Sequence, residues 1–79
     1  MAKKPKHPKG YWENRVKTIL KIELTRHNLT YAELAKRLQD LGVPESEPNI
    51  RNKLSRGTFS AIFLIQSLEA LGVDHLNLR

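Results

Sequence analysis

Thr30 to Gly57 reads TYAELAKRLQDLGVPESEPNIRNKLSRG, two short amphipathic helices joined by a turn. Thr30 followed by Glu33 forms a capping box, in which each side chain satisfies the other residue's free backbone amide. Leu29, just before the cap, is placed to staple onto Leu34. Leu34, Ala35, Leu38 and Leu41 recur at helical steps and form the expected buried face, with Lys36, Arg37 and Asp40 outward. Gly42 ends this helix and Pro44 prevents its resumption. Ser46 is the expected cap of the next, with Glu47 and Pro48 in the first turn, where an anion and a proline are both favoured.

The second helix of the pair has only two large apolar residues, Ile50 and Leu54. On a wheel of about 100° per residue with Ile50 at zero, Leu54 falls near 40° and Asn52 near 200°. Arg56 and Asn49 point outward on one side of Asn52 and Ser55 on the other, with Arg51 and Lys53 on the flanks. The helix is thus expected to bury a narrow seam and expose an amide-rich, cationic face, and Gly57 closes it.

Working outward, Trp12, Val16, Ile19, Leu20 and Leu24 make one apolar stripe of a helix from about Tyr11 to His27, with Arg15, Lys17 and Lys21 off it. Arg26 and His27 suit its negative end, and Asn28 suits a left-handed position just past it. After Gly57, Thr58 or Ser60 caps a helix that runs to Leu71 and stops at Gly72. Ala61, Leu64, Ile65, Leu68 and Leu71 form its expected core stripe, while Phe59, Phe63 and Ala70 fall nearly opposite, with Ile62 between. A helix apolar on two sides is either sandwiched in its own domain or shared with a neighbour. That pattern makes Phe59, Ile62 and Phe63 an expected subunit interface of a homodimer. The end, VDHLNLR, has too loose a pattern to assign, so a short fifth helix stays open. No segment alternates like a strand, and the chain is expected to be all-α.

Seventy-nine residues allow one domain, with a flexible basic arm over 1–10 and a helical domain over 11–79. With no cysteine there is neither a disulfide framework nor a thiolate site. No apolar run approaches the roughly 20 residues of a membrane span, and MAKKPKHPKG lacks the apolar segment of a secretory signal. A cytoplasmic location without membrane contact is expected. His7, His27 and His75 are scattered, and no Gly-rich phosphate loop is present, so no metal, no cofactor and no enzymatic activity are expected.

The net charge is +6 at pH 7, but its placement is uneven. Lys3, Lys4, Lys6 and Lys9 face no acidic residue in 1–10, whereas ten Lys and Arg face eight Asp and Glu in 11–79. Such an arm either solubilises the chain or neutralises phosphates. Pro5 and Pro8 exclude a helix there.

LTYAELAKRL, NIRNKLSRG and SAIFLIQSLEALGV together resemble the λ-repressor-like helix-turn-helix domains of bacterial and phage regulators, with motif 30–57. The wider span Trp12–Val73 resembles a small bacterial domain family of unknown function with the same four-helix pattern. In the usual motif a glycine stands four residues after the small alanine; here that place is Gln39, so the first motif helix runs nearly a turn longer, and 42–46 makes a longer turn. The resemblance implies a compact four-helix fold and binding of double-stranded DNA in transcription regulation. The helix 47–56 would lie in the major groove, where Asn49 and Asn52 read base edges. Arg51, Lys53, Ser55 and Arg56 would support it, Thr30 would sit against a phosphate, and Lys3, Lys4, Lys6 and Lys9 would add salt-sensitive affinity. Two other readings stay open: an accessory or antitoxin-like subunit that docks through Phe59, Ile62 and Phe63, and, more weakly, an RNA binder. For the latter, Tyr11, Trp12, Tyr31, Phe59 and Phe63 lie at core spacings and not on a stacking platform.

Overall fold

Four local signals end helices in this chain, and each sits where a helix stops in the computed structural model, which describes residues 3–78. The helices are α1 (Tyr11–Arg26), α2 (Tyr31–Asp40), α3 (Glu47–Arg56) and α4 (Ala61–Leu71). Asn28, Gly42, Gly57 and Gly72 all have positive φ. Three of the stops share one geometry. The amides of Leu29, Val43 and Val73 reach back to the carbonyls of Leu24, Leu38 and Leu68 at 3.0, 2.8 and 2.9 Å. The amides just before them bond Thr25, Gln39 and Glu69. This pattern satisfies the last carbonyls and folds an apolar residue back onto the core; Leu29, Val43 and Val73 all pack there.

The helix starts are equally local. Thr30 Oγ1 accepts the Glu33 amide at 3.1 Å, and Glu33 Oε1 accepts the Thr30 amide at 2.9 Å. Ser46 and Ser60 accept the amides of Asn49 and Phe63 at 3.3 and 3.0 Å. The Thr30 bonds hold the Glu33 carboxyl below its usual value. A carboxylate with a depressed folded pKa stabilises fully above its unfolded value and loses that contribution as pH falls through the folded one. Thr30→Ala is therefore expected to flatten the acid limb of a stability-versus-pH curve, measured by urea melts below the ordinary glutamate range. Parallel limbs for the two proteins would contradict the coupling.

Both α1 and α2 pack against α3 and α4; among the described residues the α1 and α2 backbones do not approach each other closely, and α3 meets α4 only through side chains such as Lys53 over Phe63. The core gathers Leu20 and Leu24, Leu34, Ala35 and Leu38, Ile50 and Leu54, and Phe63, Leu68 and Leu71. Arg37 donates to the Ala70 carbonyl at 3.2 Å and ties α2 to the end of α4. The connection 41–46 is held as well: Gln39 Nε2 donates to the Glu45 carbonyl at 2.8 Å. Beyond α4 the chain has no fifth helix through residue 78. Instead Val73 and Leu76 pack on the core and Arg15 donates to the Leu78 carbonyl. The proposed boundaries 1–10 and 11–79 include Met1, Ala2 and Arg79, which lie outside the described residues.

The structure corrects several burial expectations. The core side of α4 is Phe63, Ser67, Leu68 and Leu71, with Ala61 and Ile65 outside. At about 100° per residue, the buried arc is therefore turned by about 70° from the expected stripe. Ser67 hid this from sequence reading, because a polar residue occupies the centre of the buried arc; its hydroxyl is buried without a partner among the described residues. Phe63, expected at a subunit interface, is only 2% exposed and belongs to the monomer's own core. Leu41 is half-exposed because α2 has already ended at Asp40. Trp12, expected in the α1 stripe, is 65% exposed.

Candidate nucleic-acid interface

Short-range chemistry sets the orientation of α3. Ser46 fixes its start, Pro48 occupies its first turn, and Ile50 and Leu54 are both fully buried. That two-residue seam leaves Asn49, Asn52, Ser55 and Arg56 exposed. None of their side chains has a hydrogen-bond or ion-pair partner among the described residues. Two amides, a hydroxyl and a guanidinium thus share one solvent face, a donor and acceptor set suited to base edges and phosphates.

The two flanking cations behave differently. Arg51 Nη2 meets Glu47 Oε1 at 2.6 Å, and its guanidinium carbon stands 5.9 Å from the Tyr31 ring centre. Both partners of this ion pair are well exposed, and such pairs contribute about 0.2–1 kcal/mol. A phosphate can therefore draw Arg51 away at small cost. Lys53 is held more firmly. Its ammonium is ion-paired with Glu45 and sits 4.4 Å from the centre of the Phe63 ring. The Glu45 side chain is only 10% exposed, and its second oxygen is buried without a partner among the described residues. Withdrawing Lys53 would leave a largely buried carboxylate uncompensated, which is strongly destabilising. Lys53, expected on a phosphate, instead clamps the 41–46 connection to α3 and α4.

Thr30 is also committed. Besides accepting the Glu33 amide, its hydroxyl lies 3.0 Å from Glu33 Oε1. A phosphate there would meet a carboxylate already occupying the start of α2. Nearby, a surface cleft is lined by Lys21, Thr25, Thr30, Tyr31, Glu47 and Arg51, so cations reach the rim of this helix start even though Thr30 is occupied.

Lys3, Lys4, Lys6 and Lys9 are all exposed. Their segment runs into α1 through Gly10 and a turn closed by the Tyr11 amide on the Pro8 carbonyl at 3.1 Å. The start of α1 meets the end of α3, because Gly57 lies against the backbone of Glu13. The basic arm therefore leaves the domain at the end of α3 that carries Arg56. Sequence reasoning had no signal for this juxtaposition beyond the glycine itself. No group of three or more His, Cys, Asp or Glu among the described residues is arranged to hold a metal. No helix among them is long and apolar enough to cross a membrane.

Residues 12–76 match the family described as "Domain of unknown function (DUF6471)". The chain belongs to that family. No curated protein and no solved structure matches the chain. The matched segment of the DUF6471 domain starts at Trp12 and ends at Leu76. It spans all of α2, α3 and α4 and all of α1 but Tyr11, and leaves the lysines of the arm outside.

Proposed function

We propose that this domain binds duplex DNA and regulates transcription, with α3 entering the major groove. The observation that carries the reading is the outer face of α3: Asn49, Asn52, Ser55 and Arg56, exposed and unpartnered among the described residues over a buried Ile50–Leu54 seam. The resemblance of 30–57 to λ-repressor-like helix-turn-helix motifs supports it, as do the exposed lysines of an arm that leaves beside Arg56. On this reading the contacts divide as follows. Asn49, Asn52 and Arg56 face bases, Ser55 and Arg51 face the backbone, and Lys53 and Thr30 hold the scaffold.

Fluorescence anisotropy on random-sequence duplex across a salt series tests this reading. Four phosphate-neutralising lysines contribute roughly 3 to 4 to the slope of log K against log salt. A chain lacking residues 1–9 is expected to show a slope shallower by about that amount. Absence of binding by the full chain at low salt would overturn the DNA reading. Coincident slopes would make the arm a solvated terminus.

An interaction surface is a second reading, carried by the exposure of Ile62 (68%) and Ile65 (62%) on the outer side of α4. We infer that a homodimer, if formed, uses these residues with Phe59 at the edge, not Phe63. Ile65→Glu is then expected to reduce the sedimentation coefficient to that of a monomer. A monomeric parent protein would rule this surface out as a self-association face.

A further inference from the structure

We infer that the start of α1 carries a second nucleic-acid site, one that stacks an unpaired base of a single strand on Trp12. Trp12 is the only tryptophan of the chain, and 65% of its surface is exposed. Its position is fixed by neighbouring rings. His7 stacks on Tyr11 with centroids 3.7 Å apart and planes 10° from parallel. Trp12 is perpendicular to both, at 4.8 Å from Tyr11 and 5.4 Å from His7. These separations put the indole beside the stack, braced by two ring edges or faces and otherwise open to solvent.

The indole so positioned presents an exposed aromatic surface on which another ring can stack. The occupant is indicated by charge. Lys3, Lys4, Lys6 and Lys9 surround His7 in sequence, are all exposed, and face no acidic residue in their segment. The His7–Tyr11 stack folds this basic segment back against the first turn of α1, so the cations and the indole share one end of the helix. An aromatic surface beside a run of cations is the pairing used to bind single strands, where bases stack and phosphates meet the charges. A duplex, whose bases are already stacked, gives Trp12 nothing comparable. This site does not depend on the outer face of α3.

Titration of the full chain with oligothymidylate, oligouridylate and a duplex of equal length, read by Trp12 fluorescence, tests the inference. Both single strands, or one of them, are expected to quench the indole, and the tighter binder identifies DNA or RNA as the source. The duplex is expected to leave it nearly unquenched. In anisotropy with labelled single strands, Trp12→Ala is expected to weaken binding roughly tenfold, the order of effect that removal of one stacked base produces. Trp12→Phe should recover part of that loss, and both variants should melt like the parent because the side chain is exposed. Trp12→Ala should leave duplex binding unchanged, which separates this site from the duplex reading. Quenching by the duplex equal to that by single strands, no single-strand binding, or an unaltered affinity of Trp12→Ala would each overturn the proposal.

Discussion

Gly57→Ala is expected to lower the melting temperature by roughly 10–30 °C, more than the same change at any of the other three glycines, where an added Cβ meets nothing within 4 Å. Two costs combine. Gly57 has φ +69°, a left-handed conformation that costs a residue with a Cβ roughly 1–2 kcal/mol. A Cβ there would also lie 2.2 Å from the carbonyl oxygen of Glu13 and 2.7 and 2.9 Å from its carbonyl carbon and Cα. These are backbone atoms, so no side chain can turn aside. Relief requires moving α1 off α3, and overpacking of that kind costs about 1–3 kcal/mol. The sum is a large share of the roughly 5–15 kcal/mol that holds a small domain together.

Gly72→Ala is the internal control. Gly72 has a similar φ of +76°, yet nothing lies within 4 Å of the added carbon. It should show the conformational cost alone. Thermal melts followed by far-ultraviolet circular dichroism compare the two. Equal losses would mean that the Gly57–Glu13 approach places no constraint on the fold.

The second large effect concerns binding. Asn52→Ala combined with Arg56→Ala is expected to weaken a site selected from a random duplex library roughly a hundredfold, because each bidentate base contact is worth about 1–3 kcal/mol. Binding to unselected duplex should fall by much less, since phosphate contacts dominate there. Both side chains are exposed and without partners among the described residues, so the variant should melt like the parent. Arg56→Ala alone divides two roles. A base contact lowers selected-site affinity preferentially, whereas a phosphate contact weakens all duplexes alike and reduces the salt slope by about 1. Selected-site binding that survives the double substitution would remove α3 from the groove.

Lys53 illustrates why the candidate site was only partly legible in the sequence. Its place on the flank of α3 could be read from helical spacing, and a cation beside Asn52 suggests a phosphate contact. Its engagement with Glu45 and Phe63 could not be read, because those partners come from the preceding loop and from another helix. Trp12 failed in the opposite sense. Its spacing fits the α1 stripe, but the end of α3 meets the first turn of α1 at Glu13 and leaves Trp12 exposed. Phe63 and Ile65 exchanged their expected environments for a similar reason. Two apolar arcs on α4 were compatible with the sequence, and the buried Ser67 gave no hydrophobic signal for the correct one.

The sequence by itself determined the four helices, their caps at Thr30 and Ser46, the choice of Thr58 or Ser60 for the last, their stops at Asn28, Gly42, Gly57 and Gly72, the buried seam of α3 and, but for Leu41, that of α2. These depend on hydrogen bonds and steric limits within a few residues, where side-chain chemistry is decisive. Only the tertiary structure decided which arc of α4 is core, which cations are free, and that the basic arm and Trp12 stand beside the end of α3. Those outcomes depend on which surfaces the other helices can cover, a competition among distant segments that no local pattern records.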